Sequence, residues 1–462
     1  MIRVDCFQDQ EVAVFGLGSS GLAAAKALIA GGANVFAWDD DDAHRQAAIA
    51  QGLPLKDALT VDWRDVSALV LSPGVPLTHP RPHPIVDKAR SAGAEIIGDV
   101  ELLFRSTRDV RKTAVSGTNG KSTTTALIGH VMQRAGRRVE VGGNLGPPVL
   151  AFEHLPAGAD YILELSSYQI DLTPSLIVSV AVLLNISPDH LDRHGDMDGY
   201  VAVKKRLFQA QQHDAIAIVG IDDAYGAEIF SELKARGRPR VIAISVGFRQ
   251  PGGVSVVGGV LFDDIAGSSS GREIDLTKAS SLPGAHNWQN AAACYAACRA
   301  LEIAPDEIAD GLMTFPGLAH RQERIAEIDG VAFVNDSKAT NAVSAARALA
   351  CYETIYWIVG GRPKSDGLDG IELYDRRIKH AFLIGEATPR FGETLQGRVA
   401  WSDSADLDQA VAAASAMARR DGLPGAVVLL SPACASFDQF VDFEARGDAF
   451  RHAVLALQEA RS

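Results

Sequence analysis

A turn rich in small residues, Val115-Ser116-Gly117-Thr118-Asn119-Gly120-Lys121-Ser122-Thr123-Thr124, joins an apolar run to a helical pattern that continues to about Gly136. Small residues allow backbone N–H groups to face a phosphate, Lys121 supplies a mobile cation, and the Ser122 hydroxyl can reach a magnesium ion. The helix N-terminus adds a positive potential. The order strand, loop, helix therefore predicts a triphosphate site in an α/β fold, although Val115 replaces the glycine of a strict P-loop pattern. A Gly-Lys-Ser turn without function is the alternative.

Short apolar runs alternate with helical stretches along the whole chain, which is typical of largely parallel sheets covered by helices. The predicted strands are 11–15, 34–38, 68–71, 95–97, 113–115, 161–165, 177–184, 215–219, 241–245, 331–334, 355–359, 381–384 and 426–430. They predict an α/β fold of three consecutive domains. These are a Rossmann-like domain (1–99), a P-loop ATPase-like central domain (100–317) and a second Rossmann-like domain (318–462). The Gly-, Ser- and Asp-rich segment 253–281 is expected to form a β-hairpin or a surface loop.

The composition is that of a globular protein, with 47% hydrophobic and 22% charged residues over 462 positions. A net charge of −13 argues against a nucleic-acid scaffold, so the cations that bind phosphates must be local. The five cysteines show no metal-binding or disulfide spacing, as in cytosolic proteins. No apolar run approaches the roughly 20 residues that span a bilayer. We therefore expect a cytoplasmic monomer that acts on small molecules, without a nucleic-acid or membrane partner.

A second glycine-rich turn, Gly16-Leu17-Gly18-Ser19-Ser20-Gly21, follows the first predicted strand, and Asp39 ends the next. This satisfies the formal dinucleotide fingerprint and, taken alone, favours an NAD-dependent oxidoreductase. Physically it indicates only a pyrophosphate-binding turn, and UDP also carries a pyrophosphate. The turn Ser72-Pro73-Gly74 follows another strand of this unit and could close on the same ligand. Glycines that serve packing alone are the remaining alternative.

Acidic, histidine and lysine side chains follow the strands of the predicted central domain. Glu164 closes one strand, at the sheet edge that the phosphate loop also faces, and carboxylates are ligands that magnesium prefers. His190 follows the next strand and could bind a metal or a reacting acyl group, or could be a surface histidine without a role. Lys204 and Lys205 come after it. A buried lysine loses proton affinity, so that its neutral amine can react, but the sequence does not distinguish the two.

Several segments together resemble the Mur ligases, the ATP-dependent amide-forming enzymes of peptidoglycan precursor synthesis. The resemblance covers nearly the whole chain. The matching segments are 117–123, 164–169, 185–192, 284–287, 320–321, 335–341 and 430–440. It implies a ligase that joins D-glutamate to the L-alanyl carboxylate of UDP-N-acetylmuramoyl-L-alanine through an acyl phosphate. The first domain would then bind the UDP substrate, the second ATP, and the third the amino acid.

The same resemblance implies roles for individual residues. Lys121, His190, Lys204 and Arg321 are implied as catalytic. Two magnesium sites are implied, with Ser122, Glu164, His190 and a carbamylated Lys204 as ligands. The implied ATP-binding residues are Gly117, Thr118, Asn119, Gly120, Lys121, Ser122, Thr123, Asn287, Asn290, Arg321 and Asp336. The implied UDP-substrate residues are Gly18, Ser19, Asp39, Asp40, Ser72, Gly74 and Asn144. The implied glutamate residues are His190, Lys338, Thr340, Lys364, Ser436 and Phe437.

The chain departs from some relatives at two of these places. Asp40 stands where some relatives have a uracil-contacting threonine, and Arg362 where some have an aspartate, which weakens the assignment of Lys364. Phe437 and Phe443 fit a core as well as a pocket wall. Other interpretations remain open: an alanine-adding Mur ligase, a folylpolyglutamate synthase, an NAD-dependent oxidoreductase, or a non-catalytic nucleotide-binding regulator. The oxidoreductase interpretation leaves Lys121, Glu164 and His190 without a role.

Overall fold

The computed structural model describes residues 1–212, 214–266, 273–364 and 367–460. It has three sheets, mostly parallel and accompanied by helices, which confirms the predicted α/β class. The chain divides into two compact units. The first unit comprises Met1–Lys278 with Asn287–Phe315, and the second comprises Ala279–His286 with Pro316–Ser462. The domain boundaries expected from the sequence remain a prediction. Within the described ranges, no helix has the length and apolar character required to cross a bilayer.

The N-terminal sheet of the first unit has four parallel strands in the order β2-β1-β3-β4. Its strands are β1 (Glu11–Phe15), β2 (Asn34–Trp38), β3 (Val66–Leu71) and β4 (Glu95–Ile97). Its helices are α1 (Ser19–Ala30), α2 (Asp42–Ala50), α3 (Pro84–Ala92) and α4 (Asp99–Ser106). The two interior strands, β1 and β3, are mostly apolar and buried, as expected for parallel strands covered on both faces, whereas the edge strands β2 and β4 are partly exposed.

The central sheet, also in the first unit, has nine strands in the order β13-β12-β11-β10-β9-β8-β5-β7-β6. Its strands are β5 (Arg111–Ser116), β6 (Val139–Gly143), β7 (Asp160–Glu164), β8 (Val180–Leu183), β9 (Ile216–Gly220), β10 (Arg240–Val246), β11 (Val254–Val257), β12 (Val260–Asp263) and β13 (Glu273–Asp275). The helices that follow are α5 (Lys121–Arg134), α6 (Ser167–Asp171), α7 (Leu191–His194), α8 (Met197–Lys205), α9 (Ala224–Arg236), α10 (Ala285–Ala300) and α11 (Pro305–Thr314). The predicted hairpin is present, because β11 and β12 pair antiparallel; residues 267–272 of that segment lie outside the described residues.

The sheet of the second unit has six strands in the order β14-β15-β19-β16-β17-β18, of which only the β14–β15 pair is antiparallel. Its strands are β14 (Glu323–Ile328), β15 (Val331–Asn335), β16 (Thr354–Gly360), β17 (Ile378–Ile384), β18 (Trp401–Asp403) and β19 (Ala426–Leu430). Its helices are α12 (Ala342–Leu349), α13 (Thr388–Leu395), α14 (Leu407–Asp421) and α15 (Phe443–Glu459). Apart from Arg321, which precedes β14, the predicted site residues of this unit follow β15, β16 and β19, at the carboxyl ends where α/β sheets bind ligands.

Candidate active site

The phosphate loop lies between β5 and α5, as the sequence predicts. Gly117 and Gly120 have φ angles of 145° and 84°, in the region that favours glycine. A Cβ on Gly120 would lie 2.2 Å from Oδ1 of Asn290. Asn290 also accepts a hydrogen bond at 3.2 Å from the Thr124 hydroxyl, so this predicted ATP residue packs directly behind the loop. Both glycines are therefore favoured by the backbone conformation, and Gly120 is also required by the close approach of α10.

Asn185, which follows β8, holds the phosphate loop in shape. Its side chain accepts a hydrogen bond from the Asn119 N–H at 2.9 Å and donates one to the Asn119 carbonyl at 3.2 Å. Its own carbonyl accepts from the Thr118 N–H at 2.9 Å. The sequence motif included Asn185, but sequence reasoning gave it no role. Its signal is an amide side chain directly after a buried parallel strand.

Lys121 lies along its own loop. Its Nζ donates to the carbonyl oxygens of Gly117 at 3.1 Å and Thr118 at 2.8 Å, and so the ammonium is held beside the loop amides. Ser122 is buried at the first turn of α5, whereas Thr123 is half-buried. Asn287 is buried on α10 and accepts a hydrogen bond at 3.2 Å from the Asn290 amide.

Lys204 is 1% exposed, and its Nζ donates to the Ser116 hydroxyl at 2.9 Å and the Gly117 carbonyl at 3.0 Å. Burial lowers the pKa of the Lys204 ammonium well below its ordinary value, and the charge of Lys121 acts in the same direction. Lys205 instead pairs with Glu232 at a half-buried position. The structure therefore distinguishes the two lysines that the sequence left equivalent: Lys204 has the reactive environment.

Glu164 ends β7 next to the phosphate loop and is 1% exposed. Its Oε1 accepts a hydrogen bond at 2.8 Å from the side chain of Asn144. Among the described residues, its buried Oε2 has no hydrogen-bond partner. A buried carboxylate oxygen without a partner is costly unless a cation satisfies it. No cluster of three or more His, Cys, Asp or Glu side chains that could hold a metal occurs in the described ranges. Magnesium fits nevertheless, because it takes few protein ligands and completes its shell with water and phosphate.

His190 begins the short helix α7 with a left-handed φ of 53° and is about half exposed. Its ring packs against Tyr168 with 5.0 Å between centroids. Tyr168 also contacts His194, whose Nε2 lies 2.9 Å from the Ser167 hydroxyl. The Nε2 of His190 lies 3.4 Å from the Asp189 carboxylate, so the half-exposed ring already faces an acidic side chain.

The two glycine turns of the N-terminal sheet pack against each other. A Cβ on Gly16 would lie 2.4 Å from the Ser72 Cβ, and one on Gly21 would lie 1.7 Å from the Gly16 carbonyl oxygen. Only glycine fits these places, which explains the fingerprint spacing. Gly18 is the N-cap residue of α1, and Ser19 is exposed beside it.

Asp39 and Asp40 follow β2, beside the first turn. The Asp39 carboxylate accepts hydrogen bonds from the Leu17 and Asp41 amides. Burial alone would raise the pKa of Asp39, but these hydrogen bonds lower it below its ordinary value. Asp40 is exposed, and its carboxylate lies 2.9 Å from Nε2 of His83. The first acid therefore supports the glycine turn, while the second faces solvent.

In the second unit, Asp336 follows β15 and is buried. Its carboxylate accepts hydrogen bonds from the Ser431 hydroxyl at 2.8 Å and the Gln322 amide at 3.2 Å. Burial raises the pKa of Asp336 to about 7 despite these hydrogen bonds. Arg321 is half-buried between His320 and Gln322, both of which have left-handed φ angles of 60° and 46°. The strained turn presents the guanidinium near Asp336, whose pKa its charge lowers in part.

Lys338 and Thr340 lie on the loop between β15 and α12. The Lys338 ammonium is 3.7 Å from the centroid of the Phe443 ring, and both predicted residues are half-buried. Phe443 is thus a cation–π partner of a predicted glutamate ligand. The loop is held from behind by Arg446, whose guanidinium is buried and donates to the carbonyls of Ser337 at 2.9 Å and Cys434 at 3.1 Å. Sequence reasoning did not single out Arg446.

Ser436 and Phe437 lie on the loop after β19. Ser436 is buried, while Phe437 is 62% exposed, which is unusual for a phenylalanine that serves packing alone. Arg362 and Ala435 exchange two backbone hydrogen bonds, at 2.9 and 3.1 Å, and join this loop to the one after β16. Lys364, two residues beyond Arg362, is exposed. The loops after β15, β16 and β19 are thus connected, although Lys364 makes no recorded side-chain contact with Ser436.

Comparison with known proteins gives a consistent result. A family model described as the Mur ligase middle domain matches residues 115–298. A UDP-N-acetylmuramoylalanine--D-glutamate ligase of Phenylobacterium zucineum is 52% identical over 468 residues, covering 100% of this chain and 99% of the relative. A ligase of the same name from Rhizobium meliloti is 48% identical, with 99% of both chains covered. The solved UDP-N-acetylmuramate-alanine ligase of Thermotoga maritima is similar in fold, with a TM-score of 0.59 at 16% identity, covering 98% of this chain and 100% of that one.

Proposed function

Because this chain belongs to the Mur ligase family, with D-glutamate-adding ligases as its full-length relatives, we infer that it is an ATP-dependent amide ligase of peptidoglycan synthesis. It joins D-glutamate to the L-alanyl carboxylate of UDP-N-acetylmuramoyl-L-alanine. The substrate carboxylate attacks the γ-phosphorus of ATP and ADP leaves. The glutamate amine then attacks the acyl phosphate, loses a proton and displaces inorganic phosphate. The observation that carries this conclusion is the 52% identity over the whole chain, together with the phosphate loop and the buried Lys204 beside it.

The phosphate loop and its lysine are proposed to reduce the repulsion between two anions, the attacking carboxylate and the triphosphate. Loop amides between Gly117 and Ser122 would bind phosphate oxygens, and the Lys121 ammonium would leave its carbonyl partners to follow the charge that develops. Arg321 would contribute a second cation, and Asp336 would hold the ribose. Asn287 and Asn290 would lie on the adenine side.

Glu164, Ser122 and His190 are proposed to hold magnesium, with Lys204 as a carbamate. The partnerless Oε2 of Glu164 supports the first ligand. The lowered pKa of Lys204 supports carbamylation, because only the neutral amine reacts with carbon dioxide. Bound magnesium neutralises phosphate charge and orients the nucleotide. Two ions are proposed, because a carbamate would provide a second anionic ligand.

The glycine turns of the N-terminal sheet are proposed to bind the UDP part of the substrate, through Gly18, Ser19, Ser72 and Gly74. Asp39, Asp40 and Asn144 are further proposed contacts. In the second unit, Lys338, Thr340, Lys364, Ser436 and Phe437 are proposed to bind D-glutamate; the family resemblance adds His190 to the proposed glutamate residues. Glutamate carries two carboxylates, which lysine cations and directed hydroxyl donors can meet. These substrates are intracellular metabolites, which supports a cytoplasmic enzyme, and we propose that it acts as a monomer.

Product analysis tests this function. The purified chain, ATP, magnesium, UDP-N-acetylmuramoyl-L-alanine and D-glutamate are expected to give ADP and a UDP product heavier by one glutamyl residue, in equal amounts, by mass spectrometry. Replacing D-glutamate with L-alanine and the UDP substrate with UDP-N-acetylmuramate tests the alanine-adding alternative. A spectral change with NADH and no ADP would favour the oxidoreductase. ATP binding without ADP formation would favour a regulator.

A further inference from the structure

Arg193, on the short helix α7 three residues after His190, contacts the turn that follows β3. Its Nη1 donates to the Gly74 carbonyl at 2.9 Å, and its Nη2 donates to the carbonyls of Pro73 at 3.3 Å and Val75 at 3.0 Å. All these residues belong to the first unit. One guanidinium therefore binds three successive peptide carbonyls of a loop that is more than a hundred residues distant in sequence.

The guanidinium is itself fixed in place. It lies over the Tyr168 ring, 4.5 Å from the centroid, and Tyr168 also packs against His190. A planar guanidinium can stack on an aromatic ring and still donate from its edge, which an ammonium cannot do. Tyr168 therefore connects the orientation of Arg193 to that of the proposed magnesium ligand.

The carbonyl contacts determine where the loop amides point. In a planar trans peptide, the C=O and N–H groups point in opposite directions. With the Pro73 carbonyl turned toward Arg193, the Gly74 N–H points away from it. The Val75 N–H closes the turn onto the Ser72 carbonyl at 3.0 Å. The Gly74 N–H has no hydrogen-bond partner among the described residues, Gly74 is exposed, and a Cβ there would meet open space.

We propose that Arg193 is a positioning residue that holds the Ser72–Val75 turn so that the Gly74 amide faces the pyrophosphate of the UDP substrate. This inference rests on the proposed UDP site. Arg193 lies in the region of the central sheet, whereas the proposed UDP-binding turns belong to the N-terminal sheet. Through Tyr168 it also couples UDP binding to His190. Without Arg193 the turn would lose three charge-assisted hydrogen bonds, and its amide would be ordered only when ligand binds.

UDP binding, measured by isothermal titration calorimetry, tests the proposal with UDP itself as the probe. Arg193→Met is expected to raise the Kd for UDP about tenfold, equivalent to about 1.4 kcal/mol. The Kd of Arg193→Lys, whose ammonium reaches fewer carbonyls, is expected to lie between those of the wild-type chain and Arg193→Met. Arg206→Met is the matched control, because Arg206 is also half-buried and donates to a backbone carbonyl, that of Asp171, but lies outside the turn. It is expected to keep the Kd within twofold.

Binding of ADP with magnesium separates positioning from a general loss of structure. All three variants are expected to bind it within twofold of the wild-type chain, and Arg193→Met is expected to raise KM for the UDP substrate but not for D-glutamate. Unchanged UDP affinity in Arg193→Met, or equal losses for UDP and ADP, would overturn the proposal. If Arg193→Met does not fold, Arg193→Lys decides by the same criteria. A wild-type chain that forms ADP with the full substrates but does not bind UDP would overturn this inference alone. Absence of ADP formation would overturn the proposed function.

Discussion

Lys204 Nζ lies 2.9 Å from the Ser116 hydroxyl, where β5 leads into the phosphate loop, and both residues are buried. The Lys204 amine is held by a hydroxyl and one carbonyl, and no carboxylate among the described residues forms a hydrogen bond with it, which is an unfavourable arrangement for a buried cation with a purely structural role. It is a favourable one for an amine that becomes a carbamate, since conversion replaces a poorly solvated cation with an anionic ligand for magnesium. Several expected outcomes depend on this chemistry and on the loops around it.

Lys204→Ala is expected to lower kcat by at least about 100-fold, because the proposed second magnesium would lose its anionic ligand. Short carboxylates such as formate or acetate are expected to restore part of the rate by filling the vacated position. Lys205→Ala is the matched control and should retain near-normal kcat, since Lys205 pairs with Glu232 at the surface. Steady-state kinetics with added carboxylate checks both. A large loss of kcat in Lys205→Ala, with near-normal kcat in Lys204→Ala, would show that Lys205 has the role proposed here for Lys204.

Lys121→Ala is expected to reduce kcat by about 100- to 1,000-fold, because this cation is proposed to face the charge that develops on the transferring phosphate. Its ammonium donates to the Gly117 and Thr118 carbonyls of its own loop, so we expect thermal unfolding to stay close to that of the wild-type chain. ADP formation and a melting curve on the same preparation provide the two readings. Near-normal turnover in this variant would refute the role given to Lys121.

Ser436→Ala is expected to raise KM for D-glutamate about tenfold while KM for ATP stays within twofold, because a hydrogen bond to a charged ligand is worth about 1.5–3 kcal/mol. Ser402→Ala serves as the control. Its hydroxyl also has a polar partner in the second unit, His380, but lies on the edge strand β18. Initial rates over a range of each substrate measure the two constants. Equal increases in both would mean that Ser436 supports the fold, not the amino-acid site.

Asp336 gives a pH dependence with a definite sign. Its pKa in the folded chain is about 7, against an ordinary value of 3.8, so the folded state holds a proton that the unfolded state releases. The associated stability is present below pH 3.8 and is lost as the pH rises toward 7. Asp336→Asn cannot lose this proton. One pKa unit corresponds to about 1.4 kcal/mol. Between pH 5 and pH 8 we therefore expect the free energy of unfolding of the variant to rise by roughly 1–4 kcal/mol relative to that of the wild-type chain.

Urea denaturation of the wild-type and Asp336→Asn chains at several pH values measures this difference. ADP formation by the variant should be impaired at every pH, since Asp336 is also proposed to hold the ribose. A difference in unfolding free energy that does not change between pH 5 and pH 8 would show that Asp336 is already ionised in the folded chain at pH 5.

The sequence predicted the strands of the sheet interiors, with β11 and β12 expected only as a hairpin or a loop, and it also predicted the edge strands β2 and β4. The remaining strands outside the predicted set, β6, β13, β14 and β18, each form the edge of a sheet. Interior parallel strands are continuous apolar runs, because helices cover both faces. An edge strand such as β14, with the sequence Glu-Arg-Ile-Ala-Glu-Ile, mixes polar with apolar residues and is partly exposed, so it lacks that signal. The strand expected at 177–184 begins only at Val180, because its first residues form a loop.

Two candidate residues were predictable from local pattern: Lys121, in a small-residue turn between a strand and a helix, and Glu164, at the end of a strand. The role proposed for Asp336 came from the family resemblance. The proposed site was not predictable where residues act through backbone carbonyls. Asn185, Arg193 and Arg446 each hold a loop from a distant part of the chain; Arg193 and Gly74 are 119 positions apart. No local pattern marks such a contact, because any carbonyl can accept the hydrogen bond. The family resemblance was needed for the identity of the substrates, which no charge pattern specifies.

The measurement that tests the account most directly is phosphate release from ATP with UDP-N-acetylmuramoyl-L-alanine present and a panel of D- and L-amino acids. We expect phosphate release with D-glutamate. With L-glutamate or L-alanine, release should be at least about 100-fold slower, because a site that hydrogen bonds to the charged groups of one amino acid leaves those bonds unmade with another. It should also stop when the UDP substrate is omitted. Equal release with all amino acids, or release without either substrate, would contradict the assignment of this chain as a D-glutamate-adding ligase.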